Sequence, residues 1–398
     1  MMKIVQINAT CASGSTGKIA LAISELLNDE GVENYILYSH GHSDYSQGIC
    51  YLGEKDGKMQ ALFSRLRGNY GFNTKCATKR LLKELDRISP DAVHLHNLHS
   101  HNVHLGMLFD YFKAKKTKLF WTFHDCWAFT GYCPYYDLAH CDKWQTKCHS
   151  CSQRKKYSWF FDRSKQLFER KKALFSGLDL TIITPSEWLA GEVKKSFLKD
   201  YPVKVIHNGI DLAVFQPRES DFRKRYGLEG RFVLLGVAFD WGARKGLDVF
   251  KTLAERLDDR FRIVLVGISD ADSKQLPDSI ISIHRTENQE ALAEVYSAAD
   301  LFVNPTREEN YPTVNMESLA CGTPVLTFRT GGSPEILNKD CGMVVDCDDL
   351  DGMISAILSI EQNKPFSQEA CLKKAKDFDA ASRYREYVAL YGMDHDKK

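Results

Sequence analysis

Residues 304–335 constrain the fold more than any other part of the chain. They begin Asn-Pro-Thr-Arg-Glu-Glu-Asn-Tyr-Pro-Thr-Val-Asn-Met-Glu-Ser-Leu-Ala-Cys-Gly-Thr-Pro-Val-Leu and end, from Thr330, Thr-Gly-Gly-Ser-Pro-Glu. Before them, residues 299–304 read as a short buried strand through Leu301, Phe302 and Val303; residues 324–328 read as a second. Between the two, 313–320 has the residues of a helix. Pro312 suits its first turn, where no N–H donor is needed. Strand, loop, helix and strand in that order make a βαβ unit, and ligands of such sheets sit beyond the carboxyl ends of the strands.

The same stretch carries the chemistry. Glu309 falls in the loop and Glu317 one turn into the helix, eight positions later. A helix N-terminus offers unpaired N–H groups and a positive dipole end, so Thr313 and Val314 are placed to receive phosphate oxygens. Carboxylates nearby accept hydrogen bonds from sugar hydroxyls. Together these suit a nucleotide-sugar. Glu309 and Glu317 with seven residues between them, then Ala320-Cys321-Gly322-Thr323-Pro324-Val325 and Gly331-Gly332 before Glu335, resemble the signature of the family 4 retaining glycosyltransferases. For a lone Glu pair, two solvated carboxylates on an ordinary βα unit would be the better reading. The resemblance implies an α/β chain of the GT-B type: two Rossmann-like, doubly wound parallel-sheet lobes facing a central cleft. It also implies that Glu309 lies beside the donor sugar and that Glu317 bonds the ribose.

At 398 residues the chain has room for two or three domains, at roughly 100–200 residues each. No apolar run reaches the roughly 18 residues of a membrane span. The N-terminus enters a strand pattern at residues 3–8 without a signal-peptide layout, which points to the cytoplasm. Residues 1–207 hold 29 Lys and Arg against 20 Asp and Glu, and the remainder 24 against 32, so a basic half precedes an acidic one. The basic half suits an anionic membrane surface or an acidic lipid-linked acceptor, or it merely solubilises the chain. No motif for nucleic acid occurs.

In the first half, strand 3–8 leads into a Gly/Ser/Thr-rich loop over 9–17 and a helix over 19–28. Gly14 to Lys18 fails as a P-loop, because Ala12 stands where the first Gly belongs and Ile19 where a hydroxyl should hold magnesium. Gly14 and Gly17 are better read as letting backbone approach a ligand at a strand end. Strands follow at 34–39, 118–124, 180–185 and 204–206, with Ser186 capping a helix to about residue 199. Residues 51–78 read as polar and irregular; Leu62, Phe63 and Leu66 beside Arg65 and Arg67 suit either a membrane-touching helix or a packing helix.

Histidines at 94, 96, 99, 101 and 104 invite a metal reading, but no metalloprotease-like spacing is present, and Asn97 and His99 suit an acceptor-side strand edge instead. His124 ends a strand. The resemblance places a donor-sugar contact there, with Asp125 a less certain companion. Five cysteines crowd residues 126–151. Cys133, Cys141, Cys148 and Cys151 suit a tetrahedral structural zinc, with disulfides as the rival reading.

His207-Asn208-Gly209-Ile210-Asp211 and Phe215 resemble the hinge of the same family. The expected domains are an acceptor lobe over 1–207 with the cysteine-rich insertion at 126–151, a donor lobe over 208–376, and a helix over 377–398 crossing back to the first lobe. In the second lobe, strand 232–237 precedes a loop containing Arg244 and Lys245. Adjacent cations at a strand end suit a diphosphate. The resemblance assigns Lys245-Gly246 to it, although Asp240 stands where the family commonly has an arginine.

The expected activity is metal-independent transfer of a hexose from a nucleoside-diphosphate sugar to a glycan or lipid-linked acceptor in surface polysaccharide assembly. No Asp-x-Asp motif sits at a strand end; Asp270-Ala271-Asp272 suits a surface loop. A sugar-nucleotide epimerase on the same architecture and a zinc-stabilised binding protein are the alternatives. The expected location is cytoplasmic, or peripheral at the inner face of the membrane.

Overall fold

The computed structural model describes residues 2–99 and 101–392. The chain divides into two compact units, Asn208–Arg383 and the remainder, in which the segment from Tyr384 joins the chain up to His207.

The first unit is built on seven strands: β1 (Lys3–Thr10), β2 (Glu33–His40), β3 (Gly48–Cys50), β4 (Ala92–Leu95), β5 (Lys118–Thr122), β6 (Leu180–Thr184) and β7 (Val203–Val205). All pair in parallel, in the order β3-β2-β1-β4-β5-β6-β7. β4 is buried at every position, as a central parallel strand covered by helices on both faces must be. The order reverses direction between β1 and β4. Such a switch point leaves a crevice at the strand ends, since the following connections run to opposite faces.

Several expectations are revised here. The edge strand β3 lies in a part of the sequence with no strand pattern. Residues 51–78 are not irregular: helix Glu54–Arg67 and helix Lys75–Ile88 occupy most of them. In the second of these, Ala77, Leu81, Leu85 and Ile88 bury one face at helical spacing. The first helix starts at Gly14 rather than near residue 19, so the glycine-rich loop shrinks and its second half becomes a helical turn.

The second unit carries β8 (Phe232–Val237), β9 (Phe261–Val266), β10 (Ile280–Ile283), β11 (Leu301–Asn304), β12 (Val325–Phe328) and β13 (Gly342–Val345). Their order is β10-β9-β8-β11-β12-β13, again all parallel. Helix Thr313–Ala320 bridges β11 and β12 as the sequence indicates. Two apolar clusters flank this sheet, one containing Phe302, Met316 and Leu319, the other Phe250, Leu301 and Ile357.

Helix Ala380–Leu390 is the last helix of the described residues, and from Tyr384 onward the chain belongs to the first unit. Tyr391 bonds His94 Nδ1, His94 Nε2 lies 2.8 Å from Thr122 Oγ1, and Thr122 donates to Tyr387 at 3.4 Å. All four side chains are buried. A buried acceptor left without its donor costs about 1–3 kcal/mol. Tyr391→Phe strands His94 Nδ1 and is expected to lower the stability of the first unit by that amount, read as a lower denaturant midpoint with unchanged slope.

Candidate functional site

In the second unit, the reversal of strand order between β8 and β11 brings two strand-end loops together. Ala243–Lys245 forms a 3-10 turn after β8, and residues 305–312 follow β11. Gly246 closes the turn at φ +72; a Cβ there would stand 2.5 Å from the Pro305 carbonyl oxygen. Only glycine meets both demands. Arg307 then locks the loops. Its guanidinium grips both Asp248 oxygens at 2.8 and 2.7 Å, donates to the Ala243 carbonyl at 2.6 Å and reaches Asp348 at 2.6 Å. Its backbone N–H bonds the Arg244 carbonyl at 2.9 Å.

That lock fixes the charges. Lys245 Nζ lies 2.5 Å from Glu309 Oε2, and both side chains are largely buried. Arg244 donates to the Glu308 carbonyl at 3.2 Å. Burial works to raise the Glu309 pKa, but Lys245, the Asn310 N–H and Arg244 outweigh it and hold the carboxyl below its ordinary range. Gly331, at φ +53, presses on the Glu309 carbonyl so closely that a Cβ would overlap it, and the Gly332 N–H bonds the Asn310 carbonyl at 2.7 Å. The Gly331-Gly332 pair thus backs Glu309 from behind.

Thr313 and Val314 open the eight-residue helix behind Pro312, which supplies no side-chain cap. Both residues are half-buried, and the first N–H groups of a helix have no partner within it. Glu317 sits further along, its Oε2 accepting from Tyr296 Oη at 3.1 Å. Asn304 and Asn315 bond at 2.8 Å and tie the helix to the end of β11. The structure therefore joins Lys245 and Glu309 directly and Arg244 through the Glu308 backbone, while Glu317 turns to Tyr296. Asp240 is exposed, and Asp270–Ser273 is a short helix at the surface.

In the first unit, His124 lines a small concavity with His96, Asn97, His99, Asp125 and Trp127. Its proton is assigned by its neighbours. Gln6 Nε2 donates to the Ala20 carbonyl at 2.8 Å, which turns Gln6 Oε1 onto His96 Nε2 at 3.0 Å. His96 therefore carries its proton on Nε2, and its Nδ1 accepts from His124 Nε2 at 3.2 Å. That leaves His124 Nδ1 as an acceptor. Burial pushes the His124 pKa down to about 4 and that of His96 well below its ordinary value, so both are neutral at pH 7. Asp125 lies 2.8 Å from His99 Nε2 and accepts from the Trp127 N–H at 2.8 Å. Lys171, buried beneath the Trp127 ring, donates to the Trp127 and Thr130 carbonyls and holds the turn.

Gly14 begins the first helix. Gly17 faces inward, where a Cβ would stand 2.7 Å from Thr10 Oγ1. Among the described residues no three His, Cys, Asp or Glu side chains gather so as to hold a metal ion, at the four cysteines or at His94–His104. Cys133 and Cys148 lie in an aromatic core, with Cys141 and Cys151 packed against it. Burial raises the Cys133 thiol to about 12 and Cys148 to about 11, and neighbouring thiols add to the rise, which keeps them protonated. All twelve cysteines are free, so the disulfide reading fails.

Sequence reasoning missed Arg307, Tyr296, Gln6 and the pairing of His96 with His124. Arg307 stands inside the organising stretch, but nothing in a linear pattern shows that it faces Asp248.

Two outcomes follow from this geometry. Lys245→Ala leaves Glu309 buried without its partner, which is expected to cost about 3 kcal/mol at neutral pH. A carboxyl held low in the folded state stabilises above its unfolded pKa, and this contribution fades as pH falls through the folded value. The wild type should therefore lose the difference on acidification, so that the two unfolding midpoints converge. For the histidines, nitrogen NMR of histidine-labelled protein should show His96 and His124 as Nε2–H tautomers across pH 6–8. Gln6→Leu should abolish the fixed pattern, and a His124 signal already protonated on Nδ1 would refute the assignment.

A family model described as "Glycosyltransferase Family 4" matches residues 17–214, and one described as "Glycosyl transferases group 1" matches residues 230–363. The chain is 26% identical over 367 residues to a putative colanic acid biosynthesis glycosyl transferase, WcaC, of Escherichia coli K12, covering 86% of this chain and 87% of that protein. It is 26% identical over 275 residues to the lipopolysaccharide core biosynthesis mannosyltransferase LpsB of Rhizobium meliloti, covering 61% and 70%. Among solved structures, sucrose-phosphate synthase from Thermosynechococcus elongatus superposes with a TM-score of 0.73 at 17% identity over 98% of both chains. Anabaena HepE in complex with UDP-glucose superposes with a TM-score of 0.70 at 14% identity, over 98% of this chain and all of that one. These likenesses identify the fold as GT-B. The two matched models, which between them span most of the chain, make it a member of the family 4 glycosyltransferases.

Proposed function

We propose that the protein transfers a hexose from a nucleoside-diphosphate sugar to a glycan or lipid-linked acceptor, with retention of anomeric configuration and without a catalytic metal, in surface polysaccharide assembly. The observation that carries this reading is the Lys245–Glu309 pair, held between two strand-end loops beside the open end of helix Thr313–Ala320.

The pair is a preorganised receptor for an ester that is anionic at one end and hydroxylated at the other. A diphosphate draws Lys245 toward its own oxygens, with Arg244 and the Thr313 and Val314 amides completing the cradle. Glu309, released from the lysine, accepts hydrogen bonds from the sugar hydroxyls. Glu317, oriented by Tyr296, bonds the ribose. As the glycosidic C–O bond breaks, charge grows on the leaving diphosphate, and cations already in place stabilise it without reorganising. The departing phosphate takes the acceptor's proton on the same face, so configuration is kept and no protein nucleophile is required. The names of the relatives support the polysaccharide setting, and the UDP-glucose complex of HepE supports the donor class.

The test is turnover of a panel of nucleotide-sugars, followed by release of nucleoside diphosphate and formation of a glycoside. Lys245→Ala and Glu309→Ala should each lower turnover by about a hundredfold or more. Unchanged turnover in both, or an epimerised donor with no diphosphate released, overturns the proposal. Proton NMR of the fresh product reports the anomeric outcome.

A further inference from the structure

Large apolar side chains gather on one surface of the first unit. Trp159, Phe160 and Phe161 are 45%, 64% and 52% exposed, and Met59 and Leu62 are each 47% exposed. Isolated exposed apolar residues are ordinary; three consecutive aromatics beside two more apolar side chains are not. The two groups adjoin. The Trp159 N–H donates to the Arg65 carbonyl at 2.9 Å, and Tyr132 Oη bonds the Gly68 and Phe161 carbonyls at 3.2 and 3.4 Å. The aromatic loop is thereby strapped to the end of helix Glu54–Arg67, on which Met59 and Leu62 share a face three residues apart.

Cations surround this patch. Lys58, Arg65, Arg67, Lys155 and Lys156 are exposed, while Arg154 donates to the Phe160 carbonyl at 2.8 Å and Arg163 lies over the Phe161 ring. The one carboxylate of the loop, Asp162, is engaged by the backbone N–H groups of Cys151 and Ser164 at 2.7 and 2.9 Å. The loop is therefore rigidly presented, aromatic at its tip and positive at its base.

We propose that this patch docks the protein on an anionic lipid bilayer. Trp159, Phe160 and Phe161 enter the boundary between headgroups and acyl chains, and the lysines and arginines meet the lipid charges. Aromatic rings favour that boundary, where an apolar body and a hydrated edge are both satisfied. A protein partner fits less well, because the centre of a protein interface is depleted of charge and would strip water from several lysines with nothing here to pair them. The headgroup layer leaves them hydrated. Such a surface gives an enzyme of lipid-linked acceptors access to them, but it stands or falls independently of the transfer reaction.

The test is cosedimentation of the full chain with vesicles of phosphatidylcholine alone and of phosphatidylcholine mixed with phosphatidylglycerol. Binding is expected to the mixed vesicles only, and to weaken with salt. Replacing Trp159, Phe160 and Phe161 together by Ser should weaken it at least tenfold, and Lys155→Glu with Lys156→Glu by a similar factor (at about fivefold or more per charge). Phe160→Ala, at the most exposed position, guards against misfolding and should weaken binding by a smaller but measurable factor. Nucleotide-sugar hydrolysis in solution should be unchanged in all three. The proposal is overturned if mixed vesicles bind no better than neutral ones, if the variants bind as the wild type does, or if sizing shows the patch closed in a dimer that Phe160→Ala dissociates.

Discussion

The geometry of the strand-end loops in the second unit depends on Arg307. Two strand-end loops of a parallel sheet meet wherever the strand order reverses, but meeting does not fix them. The guanidinium does so with four bonds to the neighbouring loop and its flank: two to Asp248, one to the Ala243 carbonyl and one to Asp348. A planar fork of this kind sets direction as well as distance, which lysine in its place could not do. Because the turn at Ala243–Lys245 is held from outside, Lys245 needs no further anchor. Its ammonium is left to Glu309, a contact that an incoming anion can replace.

The backbone serves the same end. Gly246 lets the turn press on Pro305, and Gly331 lets the following loop press on Glu309. Both sites pair a left-handed φ with an approach that excludes a Cβ, so each glycine is required twice over. The acidic side chain is thereby caught between a lysine in front and a loop behind. A carboxylate fixed in this way has little rotamer freedom left to lose when it accepts a further hydrogen bond.

Much of this was legible in the sequence, and the limits have physical causes. The βαβ unit around helix Thr313–Ala320 was readable because buried parallel strands give unbroken apolar runs, and because proline marks where the helix starts. Lys245 and Glu309 were readable as a motif. β3 and β10 were not: at three and four residues, each lies on a sheet edge and carries too little pattern to stand out. Helix Glu54–Arg67 was hidden because its apolar residues remain partly exposed, and the sequence of such a helix resembles a polar loop. The spacing of the cysteines suits a metal, but nothing in it shows that Cys133 and Cys148 lie in a core with Phe129, Tyr136 and Trp144. Arg307, Gln6 and Tyr296 have partners 14 to 90 positions away in the chain, and no local pattern encodes such pairs.

The two units use polar groups in opposite electrical states. In the second unit the working side chains are ionised and paired, Lys245 with Glu309, as suits a ligand that brings net charge. In the first, the histidines are stripped of charge by burial, and a chain from Gln6 through His96 to His124 sets which nitrogen holds each proton. A neutral imidazole with a fixed tautomer distinguishes donors from acceptors without attracting ions. An imidazolium would offer only donors and would invite any anion. A neutral group is oriented better by a directed lone pair than by a field. The two units thus hold opposite polar devices: a buried ion pair in one, directed neutral hydrogen bonds in the other.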